Sequence, residues 1–200
     1  MNSIHVAGSV AGEGKLAAAL AANHAAVMAG RLAAGRTASR TGRESTRHVW
    51  TGELQVGRGA DVLTALLGSC VGIGMIWRNG RRCGLAHCLL PEGVTDEGEH
   101  GARYVSAAVP RLLAALGVRR EQYGEVEVVL AGGASMMSAL RGGDPVGRRN
   151  VAAAHAHLAL RGLNVAHVDV GGHQGRRINI DCDSHSYSVL RVGTPQAGHA

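Results

Sequence analysis

Aromatic residues are scarce in this chain: two Trp, three Tyr and no Phe among 200 residues, or 2% of the total. Hydrophobic residues still make up 46%. Core volume therefore has to come from Val, Leu, Ile and Ala, which suits a layered α/β protein. No apolar run approaches the ~20 residues that span a bilayer, and the N-terminus lacks a secretory pattern of charge, apolar stretch and cleavage site. A soluble cytoplasmic protein without direct membrane insertion is expected. Cysteine is confined to Cys70, Cys83, Cys88 and Cys182. An even count permits two disulfides, but with no mark of secretion free thiols are the expectation, one or more of them reactive. The length allows one domain with a real core and argues against two.

Charge is unevenly placed. The formal net charge is +6, and residues 1–48 carry six Lys/Arg against two acids, leaving the remainder nearly balanced. No basic patch with interleaved aromatics and no nucleic-acid-reading motif is present, so no nucleic-acid partner is expected. Residues 1–48 are rich in Ala, Gly, Ser, Thr and Arg, and only Lys15 to Leu32 looks helical. That composition superficially resembles an organelle transit peptide; a disordered or loosely helical extension is the preferred reading. The folded domain is placed at residues 49–195.

From Val49 the texture becomes strand-like. Val62 to Leu67 leads into Gly68-Ser69, and Val71, Ile73, Met75 and Trp77 alternate with their neighbours at a period of two. Asn79-Gly80 is a strong hairpin-turn pair, and Arg81 to Leu90, stopped by Pro91, is the return strand. Glu92 to Gly101 reads as a polar loop. The spacing then predicts a helix over Arg103–Leu116 ended by Gly117, a strand over Glu125–Leu130, a helix over Asn150–Leu160, and strands at Val165–Val170, Arg177–Asp181 and Ser186–Val192. Interleaved strands and helices point to an α/β layered sandwich.

The chemistry concentrates in the hairpin. With a two-residue turn at Asn79-Gly80, Arg78 pairs Arg81, Gly72 faces His87 and Cys70 faces Leu89. Alternation then puts Cys70, Gly72 and His87 on one face, with Cys70 and His87 as diagonal neighbours and Gly72 leaving the gap clear. An imidazole beside a thiol can generate the thiolate that attacks a carboxamide. Gly68-Ser69-Cys70 lies on a tight turn whose backbone N–H groups are candidates to hold an oxyanion. Gly132-Gly133 and Gly171-Gly172 read as strand-end turns, with a lining of the substrate cleft as the alternative for both. Asn150 is expected to cap the helix that follows it, with a cleft contact as the alternative, and Arg176 to lie at the surface, facing acidic receptor or solvated.

These residues resemble the CheD family of chemoreceptor glutamine deamidases. The likeness runs through Thr64, Leu67-Gly68-Ser69-Cys70-Val71, Ala86-His87-Cys88-Leu89-Leu90-Pro91, Gly132-Gly133-Ala134-Ser135-Met136, Val146-Gly147-Arg148-Arg149-Asn150 and Asp169-Val170-Gly171-Gly172 with Gly175-Arg176. It spans roughly Glu53 to Val192. It implies a Cys70 nucleophile, a His87 base and Thr64 orienting the dyad. Gly68, Ser69, Gly132 and Gly133 would then contact substrate. The implied fold is an α/β/α-type sandwich similar to the catalytic domain of the cytotoxic necrotising factor toxins. The implied activity is deamidation of receptor glutamines to glutamates, with methylesterase activity in some members. Methyl-accepting chemoreceptors are the implied substrate and a CheC-like phosphatase an implied partner; no cofactor and no metal is expected. Cys88, Ser106 and the polar Asp181–His185 turn depart from the family pattern without removing a proposed catalytic group.

Three other readings compete. Cys83, His87 and Cys88 with Cys182 or His185 would make a zinc module, but the register splits them between faces. A non-catalytic protein with the same fold would dock on receptors or on a CheC-like partner. A general cysteine peptidase would use the same dyad.

Overall fold

Short strands with alternating apolar residues cannot bury both faces in one layer, and here they divide into two sheets. The structure is a computed structural model and describes residues 45–93, 101–135 and 145–193. Strands β1 (Ser45–His48), β3 (Asp61–Leu67), β8 (Gly175–Asp181) and β9 (Ser186–Val192) form a four-stranded sheet in that spatial order. Strands β2 (Leu54–Gly57), β5 (Arg82–Cys88), β4 (Val71–Trp77), β6 (Glu127–Gly132) and β7 (Asn164–Val170) form a five-stranded sheet. Helix α1 (Val105–Leu116) and helix α2 (Val146–Ala159) complete the regular structure with a 3-10 turn at Arg120–Glu125. Among the described residues no helix is long and apolar enough to cross a membrane.

The five-stranded sheet is the middle layer. On one face Val71, Ile73 and Met75 pack with Val109, Leu112 and Leu113 of α1 and Leu158 of α2. On the other, Leu85, Val129 and Ala131 meet Leu63, Ala65, Leu67, Ile178 and Ile180 of the four-stranded sheet. The α/β layered sandwich is therefore present, with layers ordered helix, sheet, sheet. The helix–sheet–helix order implied by the resemblance is corrected: the second sheet occupies the place of a second helical layer. Gly72 and Gly74 let the sheets approach, since a Cβ on either would lie 2.7 Å from Leu67 or Ile180.

Most sequence-derived elements stand within two residues of their expected ends, and α1 closes on Gly117, left-handed at φ 75° as expected. Four readings need correction. Ser45–His48 belongs to the folded domain rather than the extension, because it pairs in parallel with β3. Helix α2 starts at Val146, so Asn150 lies inside it and does not cap it. The β4–β5 loop is Arg78–Arg81, with Arg81 rather than Asn79 or Gly80 at positive φ. A type I′ turn needs both central residues there and a type II′ turn the first, yet Trp77 still faces Arg82 and the expected register survives. Arg176 is buried, 3% exposed, and not at the surface. The expected helix over Lys15–Leu32, the leader up to residue 44 and most of the polar loop lie outside the described residues.

Arg176 opens β8 and bonds back to the end of β7. Its guanidinium donates to Asp169 Oδ1 at 2.9 Å and to the carbonyls of Gly171 and Gln174. Burial pushes the Asp169 carboxyl up, but hydrogen bonds and charge from Arg176 and Arg191 outweigh it and hold the group below the ordinary aspartate value. Arg176→Ala removes the donor to the Gly171 and Gln174 carbonyls and leaves Asp169 with Arg191 alone. It is expected to cost about 1–3 kcal/mol in urea denaturation; stability unchanged within error would refute this account of the turn.

Candidate active site

The chain crosses between the sheets three times at one end of the sandwich. Residues 49–53 join β1 to β2, residues 68–70 join β3 to β4, and residues 171–174 join β7 to β8. Cys70 sits in the shortest crossover, half-buried, where Gly68-Ser69-Cys70 must turn the chain from one layer to the other. The carbonyls of that turn are tied inward. Gly68 O accepts from Ala134 N–H at 2.8 Å, Ser69 O from Asn150 Nδ2 at 3.1 Å, and Cys70 O from Gly133 N–H at 2.7 Å. Among the described residues, the Ser69 and Cys70 N–H groups donate to no backbone carbonyl.

His87 lies on β5 opposite Gly72, as the hairpin register predicts. It is 5% exposed and held by the 49–53 crossover. Nδ1 is 3.1 Å from Val49 O, and Nε2 is 3.4 Å from Thr51 Oγ1. A carbonyl only accepts, so Nδ1 carries the proton and Nε2 presents its lone pair. The same crossover bonds the His87 backbone, with Glu53 O accepting from its N–H and its carbonyl accepting from Gly52 N–H. Val49 is anchored in turn by donating to Thr64 O at 2.8 Å.

Electrostatics favour a neutral pair at rest. Burial pushes the Cys70 thiol above the ordinary cysteine value, partly offset by its own backbone N–H. Burial pushes His87 below the ordinary histidine value, against the Val49 hydrogen bond and the charge of Glu53. No hydrogen bond joins the thiol to the ring in this arrangement, among the described residues; the Nε2 lone pair faces the Thr51 hydroxyl instead. The imidazole is thus placed as a neutral proton acceptor near the thiol rather than as half of a preformed ion pair.

The structure sorts the expected site residues. Cys70 and His87 come to one end of the inter-sheet face, but the space left by Gly72 is not clear: Leu67 fills it. The Thr64 hydroxyl does not reach the dyad. It donates to Asn179 Oδ1 at 2.7 Å, on the sheet face opposite Leu63 and Ala65, and Thr64 meets His87 only through the Val49 backbone. Gly68 and Ser69 precede Cys70 in the turn. Gly132 and Gly133 support it from behind: a Cβ on Gly132 would stand 2.3 Å from Cys70 O. Val49, Thr51 and the clamp by Asn150 were missed, since nothing in a lone Val or Thr marks a backbone carbonyl or hydroxyl that will meet a distant imidazole. Cys88 faces the helices, while Cys83 lies beside Cys182 between the sheets, so the proposed zinc ligands are on opposite sides of β5.

Comparison with known proteins gives the family of the chain. The family model described as CheD chemotactic sensory transduction matches residues 89–191. The chain is 37% identical to the probable chemoreceptor glutamine deamidase CheD of Bdellovibrio bacteriovorus over 151 residues, covering 72% of this chain and 94% of the relative. The chain belongs to the CheD family. It is also 34% identical to the probable chemoreceptor glutamine deamidase CheD 2 of a Ruegeria species, across 74% of this chain and 93% of that one. To the CheD protein of Methanococcus vannielii, similarly named, it is 36% identical across 70% and 91%. The family-model match begins just after His87, but alignments covering 72% and 74% of a 200-residue chain cannot avoid Cys70 and His87.

In this CheD-family chain the support behind the nucleophile leaves no room at Gly132, whose φ is +100°. Gly132→Ala is expected to destabilise by at least about 1–3 kcal/mol from backbone strain and to slow alkylation of Cys70. Wild-type stability together with wild-type alkylation would show that the turn does not depend on this contact.

Proposed function

We propose that this protein is a cysteine hydrolase that deamidates glutamine side chains of methyl-accepting chemoreceptors in the cytoplasm. The observation that carries the proposal is His87 locked by Val49 O with Nε2 left as an acceptor toward the Thr51 hydroxyl, two strand positions from a thiol whose turn N–H groups donate to no backbone carbonyl among the described residues. Family membership supplies the substrate class, since the relatives are named for chemoreceptor glutamine deamidation. Cys70 Sγ bonds to the carboxamide carbon while His87 Nε2 takes the thiol proton. The oxyanion is held by backbone N–H groups of the 68–70 turn. As the tetrahedral centre collapses, the C–N bond breaks and His87 delivers its proton to departing ammonia. Water then attacks the thioester with His87 as base, leaving a glutamate and restoring the thiol. The Thr64 carbonyl serves by holding Val49, and Thr51 by satisfying Nε2 until the thiol proton arrives.

Trp50 is placed to meet the receptor. It lies between the two residues that hold the His87 ring and is 67% exposed, beside the His48 ring. A CheC-like phosphatase is proposed as a regulator on the family resemblance alone, and co-purification from cells expressing both is its test.

Three outcomes are expected. Mass spectrometry of co-incubated receptor fragments should show glutamine-to-glutamate conversion with wild type and none with Cys70→Ala; equal conversion by both would sink the hydrolase reading and favour a non-catalytic docking protein. The pH profile follows from the signs. Because burial disfavours the imidazolium, His87 stays a competent base below the ordinary histidine value, so the acid limb of kcat/KM should fall below pH 6.5. Alkylation of Cys70 by iodoacetamide should inflect above the ordinary thiol value, and rapid alkylation near pH 6 would indicate a thiolate–imidazolium pair instead. Trp50→Ala should raise KM for the receptor fragment about tenfold, the usual order for losing an aromatic anchor, while kcat stays within about threefold; an unchanged KM would remove Trp50 from the docking surface.

A further inference from the structure

Beyond the pair Val71–Cys88, strands β4 and β5 stop bonding to each other. The Leu89 and Leu90 N–H groups turn to Arg103 O, both at 2.9 Å, and Cys70 O turns to Gly133. One side chain closes the fork. Asn150, fully buried on α2, donates from Nδ2 to Ser69 O at 3.1 Å and to Leu89 O at 2.9 Å. Two carbonyl acceptors admit only the donor end of the amide, so its orientation is settled by its partners. Its Oδ1 is buried and has no partner among the described residues. An unmatched buried acceptor is unfavourable, so packing alone does not account for an amide here.

The consequence follows from peptide geometry. Ser69 C=O and Cys70 N–H belong to one planar unit, and with no cis bond in the described chain they point in opposite directions. Drawing Ser69 O inward to Asn150 therefore turns Cys70 N–H outward, to the side where the thiol stands. The Gly68 carbonyl, held by Ala134 N–H, does the same for Ser69 N–H.

We propose that Asn150 is a positioning residue for the oxyanion hole: by holding Ser69 O it aims the Cys70 N–H at the oxygen that becomes negative when Cys70 attacks an acyl carbon. It touches neither substrate nor the reacting atoms. The inference builds on the hydrolase reading but not on the receptor as substrate.

Two reactions of the same thiol isolate the effect. Acylation by p-nitrophenyl acetate passes through a tetrahedral oxyanion and releases p-nitrophenolate as the Sγ–C bond forms. Alkylation by iodoacetamide displaces iodide with no oxyanion. Both are measured at Cys70 in the full chain, with Cys70→Ala subtracted, for wild type, Asn150→Ala and Asn150→Asp. The isosteric carboxylate keeps the shape but sets negative charge against both carbonyls. The ratio of acylation to alkylation rate should fall about 100-fold in both variants, the order seen when one oxyanion donor is lost, with the alkylation pH profile unchanged. In Asn150→Asp the ratio should recover as pH is lowered and the acid regains one donor. A ratio within threefold of wild type, or acylation and alkylation falling together, overturns the proposal and leaves Asn150 a packing residue. Both rates are read on one folded thiol, so lower stability does not mimic the result. A fall in the ratio without receptor deamidation by wild type would sink the receptor reading and leave this one standing.

Discussion

The site depends on one geometric demand: the chain must leave one sheet and enter the other within three residues. No regular strand can do that, so Gly68-Ser69-Cys70 turns with its carbonyls and N–H groups released from any ladder. Released backbone groups near a core are costly unless paired. Here the carbonyls are paired by Ala134, Asn150 and Gly133, and among the described residues the Ser69 and Cys70 N–H groups donate to no backbone carbonyl. The glycines behind the turn allow that pairing, since α2 approaches so closely that a Cβ on Gly147 would stand 2.6 Å from Gly133 O.

His87 is governed by the neighbouring crossover. Residues 49–53 pass from one sheet to the other beside His87, and their backbone and hydroxyl groups take both ring nitrogens. Burial keeps both members of the dyad neutral, which suits a reaction whose proton transfer accompanies attack. The ion pair of Arg176 with Asp169 steadies the third crossover, whose Gly171 N–H donates to Gly132 O. Cys70, His87 and the support behind them thus share a cause in the change of layer.

Much of this was legible from period and turn chemistry. The alternation Val71, Ile73, Met75 gave β4, and Gly117 marked the end of α1. The Gly72–His87 register was right although the turn was not: the loop holds four residues, with Trp77 and Asn79 both donating to Glu125 Oε2, and two-residue and four-residue loops of this kind leave the same residues opposite. What was not legible depends on contacts distant in sequence. Ser45–His48 looks like leader because four polar residues make a strand only when β3 lies alongside. Asn150 looks like a cap because its partners, Ser69 and Leu89, lie 81 and 61 positions away. Arg176 looks solvated for the same reason. Thr64 sits in a matching motif, yet strand parity turns its hydroxyl toward Asn179.

The hold on His87 has a consequence for how such a site evolves and is mapped. In many hydrolases the far nitrogen of the base is bound by a carboxylate, which a single codon change can delete. Here it is bound by the carbonyl of Val49, which every residue possesses. Position 49 can therefore drift among side chains that fit the core without disturbing the tautomer. A side-chain scan across this region would register Cys70 and His87 and pass over the Val49 carbonyl that holds the ring. That carbonyl becomes visible only to chemistry that edits the main chain, such as replacing the Val49–Trp50 amide with an ester, whose carbonyl is a weaker acceptor.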